Sequence, residues 1–312
     1  MKAVILAFFL LLIIVSCDNK KTQISTNIDK GIEYFYLKDY QKSIYHLNSS
    51  LLYDSNNVKC NLYLAKCFLK IKNYDEAFVS LKRIRGLVFD KNTIKEKANK
   101  VIDGISIDSL YEVYAKWLFA KEESTTIIIL CDKWAKVSPE NHIPYLYMSQ
   151  GYLMEFFKSR EKFGASYNYK TRGFAQGELN GAYENVMIAL KLNPNSPEVL
   201  LVKGHIRAEM SDTEGAIKDY NLALSYNNKD SSIISHIYSS IAEIYIGNGE
   251  FKSAIDYFNL SITFQNRAST FINRGLSYIQ LSNKRKACED FSEGINLGNE
   301  VAMEYYNKYC NN

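Results

Sequence analysis

Apolar residues recur along most of this chain at intervals of three and four, and short polar stretches interrupt them. That period places one face of a helix on a core and turns the chain at each break, so the pattern predicts paired helices. In "KGIEYFYLKDYQKSIYHLNSSLLYDSNN", from Lys30, a small residue (Gly31) precedes an aromatic (Tyr34) by three positions. After the break "KDY" a second apolar face carries Ser43 and Leu47. "LAKCFLKIKNYDEAFVSLKRI", from Leu64, repeats this in phase. Gly31 aligns with Ala65, Tyr34 with Phe68, Tyr40 with Tyr74, Ser43 with Ala77 and Leu47 with Leu81, each 34 residues apart. The same internal spacings return at Gly204, Ala216, Tyr220 and Ala223, then at Ala242, Tyr245, Ala254, Phe258 and Ser261. A further copy holds Gly275, Tyr278, Ala287, Phe291 and Gly294.

A small residue and an aromatic three positions on share one helical face. The second helix adds a small residue, a large one four later and another small one three beyond. Small residues let helices approach closely, and each pair leaves apolar surface that only a neighbouring pair covers. Period and residue classes resemble the tetratricopeptide repeat family. The resemblance implies an all-α fold, a right-handed superhelical solenoid of about seven helix-turn-helix units. We place the units near 24–57, 58–91, 108–141, 142–195, 197–230, 235–268 and 269–301, with a C-terminal capping helix over 302–312. Two units are degenerate. The third keeps Tyr111, Ala115, Trp134 and Pro139 but carries Ile127 where a small residue is usual, and the fourth holds an insertion over 158–175. Between the second and third units, Ile94, Ala98, Val101 and Ile102 at helical spacing predict an extra linking helix.

The N-terminus departs from this pattern. Lys2 precedes an unbroken apolar run from Ala3 to Val15, which as a helix reaches roughly 20 Å, short of the ~30 Å hydrocarbon core. A cleaved signal peptide over 1–16 fits that length better than a membrane anchor. Ile14-Val15-Ser16-Cys17 resembles the bacterial lipoprotein lipobox, which implies cleavage before Cys17 and diacylglyceryl attachment to its thiol. Residues 17–23 then form a short lipidated tether of roughly 25 Å when extended. The expected location is the bacterial cell envelope, with the bilayer as one partner through acylated Cys17; which membrane and leaflet stays open.

The 312 residues are 47% hydrophobic and 23% charged, ample for a folded core. A formal net charge of +4 falls to +3 without Lys2, too weak a bias over this length to point to nucleic acid. Besides Cys17 there are Cys60, Cys67, Cys131, Cys288 and Cys310, an odd number that cannot pair completely. We read them mostly as buried small hydrophobes and expect no Cys288–Cys310 bridge.

No spacing of nucleophile, base, metal ligand or phosphate loop stands out, so the chain reads as non-catalytic and without a cofactor. His46, His142, His205 and His236 fall in different units and read as groove-lining or solvated rather than as metal ligands. The resemblance implies instead a partner-binding concave face lined by the first helices. Candidate residues there are Lys59, Lys66, Lys70 and Lys116 in early units, and Glu198, His205, Glu209 and Glu243 in later ones. The basic-to-acidic change would orient a charged partner segment. A second candidate is the insertion, where Arg160, Lys162, Lys170 and Arg172 interleave with Phe163, Tyr167 and Tyr169. It reads equally as a binding loop or as two helices extended past the stack. The expected function is a membrane-anchored protein-protein interaction scaffold of the cell envelope, with protein partners there and with self-association as a further outcome. The competing expectation is a glycan or cell-wall binding module that uses the insertion.

Overall fold

Close approach of paired helices is set by side-chain size sixteen residues apart. In the computed structural model, a Cβ added to Gly204 would lie 2.3 Å from the Tyr220 ring, and one added to Gly275 would lie 2.7 Å from the Phe291 ring. The large residue of the second helix fills the space that the small residue of the first leaves open. Ala65, Ala115 and Ala242 occupy the same register and are fully buried.

The structure describes residues 22–88, 101–102, 105–163, 169–226 and 230–311, and fifteen α-helices lie among them. They fall into two compact units, Met1–Pro139 and Glu140–Asn312. The first holds α1 (22–36), α2 (Tyr40–Leu51), α3 (Val58–Lys70), α4 (Tyr74–Val88), α5 (Ile107–Ala120) and α6 (Ser124–Val137). The second holds α7 (Ile143–Phe163), α8 (Tyr169–Leu192), α9 (Pro197–Glu209), α10 (Thr213–Ser225) and α11 (Ser231–Gly247). It continues with α12 (Phe251–Phe264), α13 (Ala268–Gln280), α14 (Lys284–Asn296) and α15 (Glu300–Cys310). In this unit the first helices of successive pairs (α7, α9, α11 and α13) touch one another and form a common face. None of the described helices is long and apolar enough to cross a membrane.

Six of the seven pairs turn in the same way. The second residue after the first helix takes the left-handed conformation: Lys38, Lys72, Glu122, Ser211, Gly249 or Ser282. The next backbone N–H then reaches back to a carbonyl five residues earlier, as Asp212 N does to Arg207 O at 2.8 Å and Glu250 N to Tyr245 O at 2.8 Å. This is a Schellman closure, which satisfies carbonyls that the helix end leaves free. The residue that closes one helix caps the next: Asp39, Asn73, Asp212 and Asn283 each accept a backbone N–H from three residues on. Glu123 and Glu250 stand at the same place without a side-chain cap bond. In the α7–α8 pair the two helices are longer, 21 and 24 residues, and their connection lies outside the described residues.

Two expectations are corrected. Cys288 and Cys310 form a disulfide. The short link between α14 and α15 lays the cap back along its neighbour, which brings the two Cα atoms to 5.8 Å, inside the bridging range. An odd cysteine count excludes a complete framework but not one bridge, and Cys60, Cys67 and Cys131 remain free and buried. Val101 and Ile102, assigned to a linking helix, are instead paired antiparallel with Ser106 and Ile105 in a two-residue β-ribbon. Both are β-branched, which favours the extended pairing over a helix. The rest of that predicted helix lies outside the described residues.

Buried polar chemistry varies from pair to pair. In α9–α10, Lys203 Nζ lies 2.8 Å and Arg207 Nη1 3.0 Å from the buried Asp219 carboxylate. In α13–α14, Arg274 and Asp290 form a two-bonded pair at the same register. The cap α15 packs Tyr305 and Tyr309 on Phe291 and buries Ala302 completely.

Candidate functional site

The face formed by α7, α9 and α11 opens into a cavity of about 540 Å³. Leu153 and Phe157 of α7, Ala208 of α9 and Ile244 of α11 form its apolar wall. Its polar side holds His205 and Glu209 from α9, with Ser240 and Glu243 from α11. A second recess of about 380 Å³ lies on the other side of Glu243 and is lined by Ile246, Asn273 and Leu276 among others. Helical spacing produces this arrangement. His205 and Glu209 are four apart, so they rise along one stripe of α9, and Ser240, Glu243 and Ile244 do the same on α11.

His205 is the best-fixed of these groups. Its Nε2 lies 2.8 Å from Ser240 Oγ, whose single proton is directed at the His236 carbonyl 2.9 Å away. The ring meets Tyr220 edge to face at 5.8 Å. Burial pushes the imidazole down to about 4, so it is neutral at neutral pH. The Tyr220 phenol is pushed up, chiefly by burial.

The two carboxylates have different partners. Glu209 Oε2 lies 2.7 Å from Arg160 Nη1, and the Arg160 guanidinium also sits over the rings of Phe156 and Phe157. Glu243 accepts an amide N–H, from Asn273 Nδ2 at 3.1 Å. Loss of surrounding water raises the Glu243 carboxyl, the Asn273 bond opposes that, and the nearby Glu209 charge adds to it.

Of the expected groove residues, His205, Glu209 and Glu243 are thus brought together. Glu198 is not in the lining; it lies in the first turn of α9 and accepts from Ser196 Oγ at 2.9 Å. In the first unit, Lys66 sits over the Tyr63 ring at 4.9 Å, near enough to Glu112 and Lys116 for their charges to act on it. Desolvation lowers its ammonium first, with Lys116 acting in the same direction and the Tyr36 hydroxyl and Glu112 opposing. Lys116 is paired to Glu112. Lys59 lies apart, 3.8 Å from Asp29 of α1, and Lys70 is exposed.

In the insertion, Arg160 is drawn to Glu209. The side chains of Lys162, Phe163, Tyr167, Tyr169, Lys170 and Arg172 lie outside the described residues, as does Cys17. His46 and His142 serve local packing. His46 stacks on Tyr34 at 5.3 Å, and His142 Nε2 lies 3.2 Å from the Asn193 amide. Sequence reasoning missed Leu153, Phe157, Ser240 and Asn273. Their only signal is position on a first-helix stripe, which many other residues share.

A family model for the tetratricopeptide repeat matches residues 197–230 and 235–267, the α9–α10 and α11–α12 pairs that frame the cavity. No curated protein matches the chain. A solved tetratricopeptide repeat protein from Parabacteroides merdae is similar at a TM-score of 0.66, with 14% identity over 91% of this chain and 97% of that one. A structure of the human IFIT1 dimer with m7Gppp-AAAA is similar at 0.50, with 12% identity over 89% of this chain and 72% of that one. At these identities the likeness is one of fold.

Proposed function

Since this chain is a tetratricopeptide-repeat protein, we propose that it is a non-catalytic scaffold of the bacterial cell envelope, anchored through a lipid on Cys17 and docking a protein partner in the α7–α9–α11 cavity. The observation that carries this reading is the cavity itself. It is open, about 540 Å³, and apolar on one side with fixed polar groups on the other, which is the composition of a recognition site. Grooves built from first helices are also where stacked helical repeats present their extended binding surface.

Two features support the envelope. Ile14-Val15-Ser16-Cys17 supplies the lipidation pattern. The Cys288–Cys310 bridge is the chemistry of an oxidising compartment, since cytosolic thiols are held reduced. Four residues separate Cys17 from the first described helix, which begins at residue 22.

The reading is tested in the native envelope. Cys17→Ala is expected to move the protein from the membrane fraction to the soluble fraction. A photo-crosslinking amino acid at Ala208, in the cavity, is expected to capture a defined envelope protein that the same group at exposed Lys218 does not. Membrane retention of Cys17→Ala, or identical products from both positions, would sink it.

A further inference from the structure

One guanidinium is already held at the mouth of the cavity. Arg160 meets the Glu209 carboxylate at 2.7 Å and lies 5.7 and 5.6 Å above the Phe156 and Phe157 rings. A carboxylate beside an aromatic face is a general way to hold a cation, through a charge-assisted hydrogen bond and the ring quadrupole. The Arg160 side chain is 54% exposed, so this contact faces water rather than the core.

Glu243, which lines the same cavity from α11, has the carboxylate without a cation among the described residues. Its amide partner Asn273 satisfies an oxygen and brings no charge. His205 is bonded to Ser240 and neutral, so it adds none either. Between the two carboxylates the wall is Leu153, Phe157, Ala208 and Ile244, which suits an aliphatic side chain. An acidic segment entering here would meet two carboxylates and one committed guanidinium, an arrangement that rejects it. A basic segment finds its complement at Glu243, and Arg160 occupies the second carboxylate that it would otherwise use.

We propose that this cavity takes an extended segment of the partner protein bearing an arginine or lysine beside an aliphatic residue, with the cation seated on Glu243 and with Arg160 as an internal competitor for Glu209. This rests on the scaffold reading and adds the chemistry of what docks.

The test pans the full chain, purified in detergent, against a phage-displayed random decapeptide library. Enrichment of basic residues next to aliphatic ones is expected. For a selected peptide, Glu243→Gln is expected to weaken binding about tenfold, the low end for losing a charge-assisted hydrogen bond at a partly solvated site. Glu243→Asp is expected to recover part of that loss, and Arg160→Ala to tighten binding a few-fold by freeing Glu209. Unchanged thermal melting of each variant separates these effects from misfolding, because Glu243 and Arg160 are both exposed. Enrichment of acidic or uncharged peptides, or affinity unchanged in Glu243→Gln, would overturn the inference while leaving the scaffold reading intact. So would a dimer in sedimentation that Glu243→Gln dissolves, because the occupant would then be a second copy. If the library yields nothing and the crosslinker at Ala208 captures nothing, both readings fail.

Discussion

The adjacent pairs α9–α10 and α11–α12 share one frame and close it with different chemistry. Gly204 corresponds to Ala242, Ala216 to Ala254, Tyr220 to Phe258 and Ala223 to Ser261, each 38 residues on. All eight are buried. At the register of Lys203, Arg207 and Asp219, however, the second pair carries Ile241, Tyr245 and Tyr257, and the last two stack at 5.2 Å. An ion triad and an apolar cluster therefore occupy equivalent places between equivalent helices. The frame is specified by size at a few positions, and the polarity of the rest is free to vary. The cavity uses that freedom: His205 and Glu243 share one register, one a neutral imidazole bonded to Ser240 and the other a carboxylate bonded to the Asn273 amide.

The comparison is broken most forcefully at Asp219. Asp219→Ala leaves Lys203 and Arg207 without their shared carboxylate. Removing one partner of a buried ion pair costs about 3–5 kcal/mol. Writing the neighbour's residues into the triad, as Lys203→Ile with Arg207→Tyr and Asp219→Tyr, is expected to restore stability to the parent level or above, because apolar replacement of buried ion groups is often neutral or favourable by about 1–4 kcal/mol. Urea unfolding of the two variants decides this. A triple variant as unstable as Asp219→Ala would show that the two pairs are not interchangeable.

His205 gives the next effect. Its folded value of about 4 lies below the ordinary 6.5, so the unfolded chain binds the proton more readily. The stability this contributes is present above about pH 6.5 and is lost as pH falls towards 4. Between pH 7 and pH 5 the loss is about 2 kcal/mol at most, at about 1.4 kcal/mol per unit. Glu243, whose carboxyl is raised, shares the cavity, so the quantity to measure is the difference between the parent and His205→Gln. Equal slopes in the two proteins would place the imidazole in contact with water.

Much of the frame was legible in the sequence, because side-chain size at fixed helical spacing is a local property. Gly204, Tyr220 and Ala223 declare a close-packed pair without reference to anything distant. The polar breaks "KDY" and "KNY" likewise mark the turns at Lys38 and Lys72. The cavity was only partly legible. His205, Glu209 and Glu243 fall on first-helix stripes, but Phe157 and Ile244 meet across nearly ninety residues of chain, and nothing local announces it. Lys203 and Asp219 look in sequence like ordinary surface charges, and only the approach of α9 and α10 buries them. The Cys288–Cys310 bridge was misread because a count of thiols carries no information on which helices lie side by side.

The smallest effect tests the turn that the two pairs share. Ser211 has φ +65° and Gly249 has φ +78°, and both donate backbone hydrogen bonds of the same Schellman closure. A non-glycine residue in the left-handed region costs roughly 1–2 kcal/mol. Glycine removes that cost but adds about 0.5–1 kcal/mol of unfolded-state freedom. The net expectation is that Ser211→Gly stabilises the protein by about 0.5–1 kcal/mol and that Gly249→Ser destabilises it by a similar amount. Space does not decide the second case, since a Cβ built on Gly249 meets nothing within 4 Å. The two changes should therefore cancel in the double variant, which exchanges the turn residues of the neighbouring pairs. Thermal melting of the singles and the double tests this, and a double variant well below the parent would mean that each turn is tuned to its own pair rather than to a common frame.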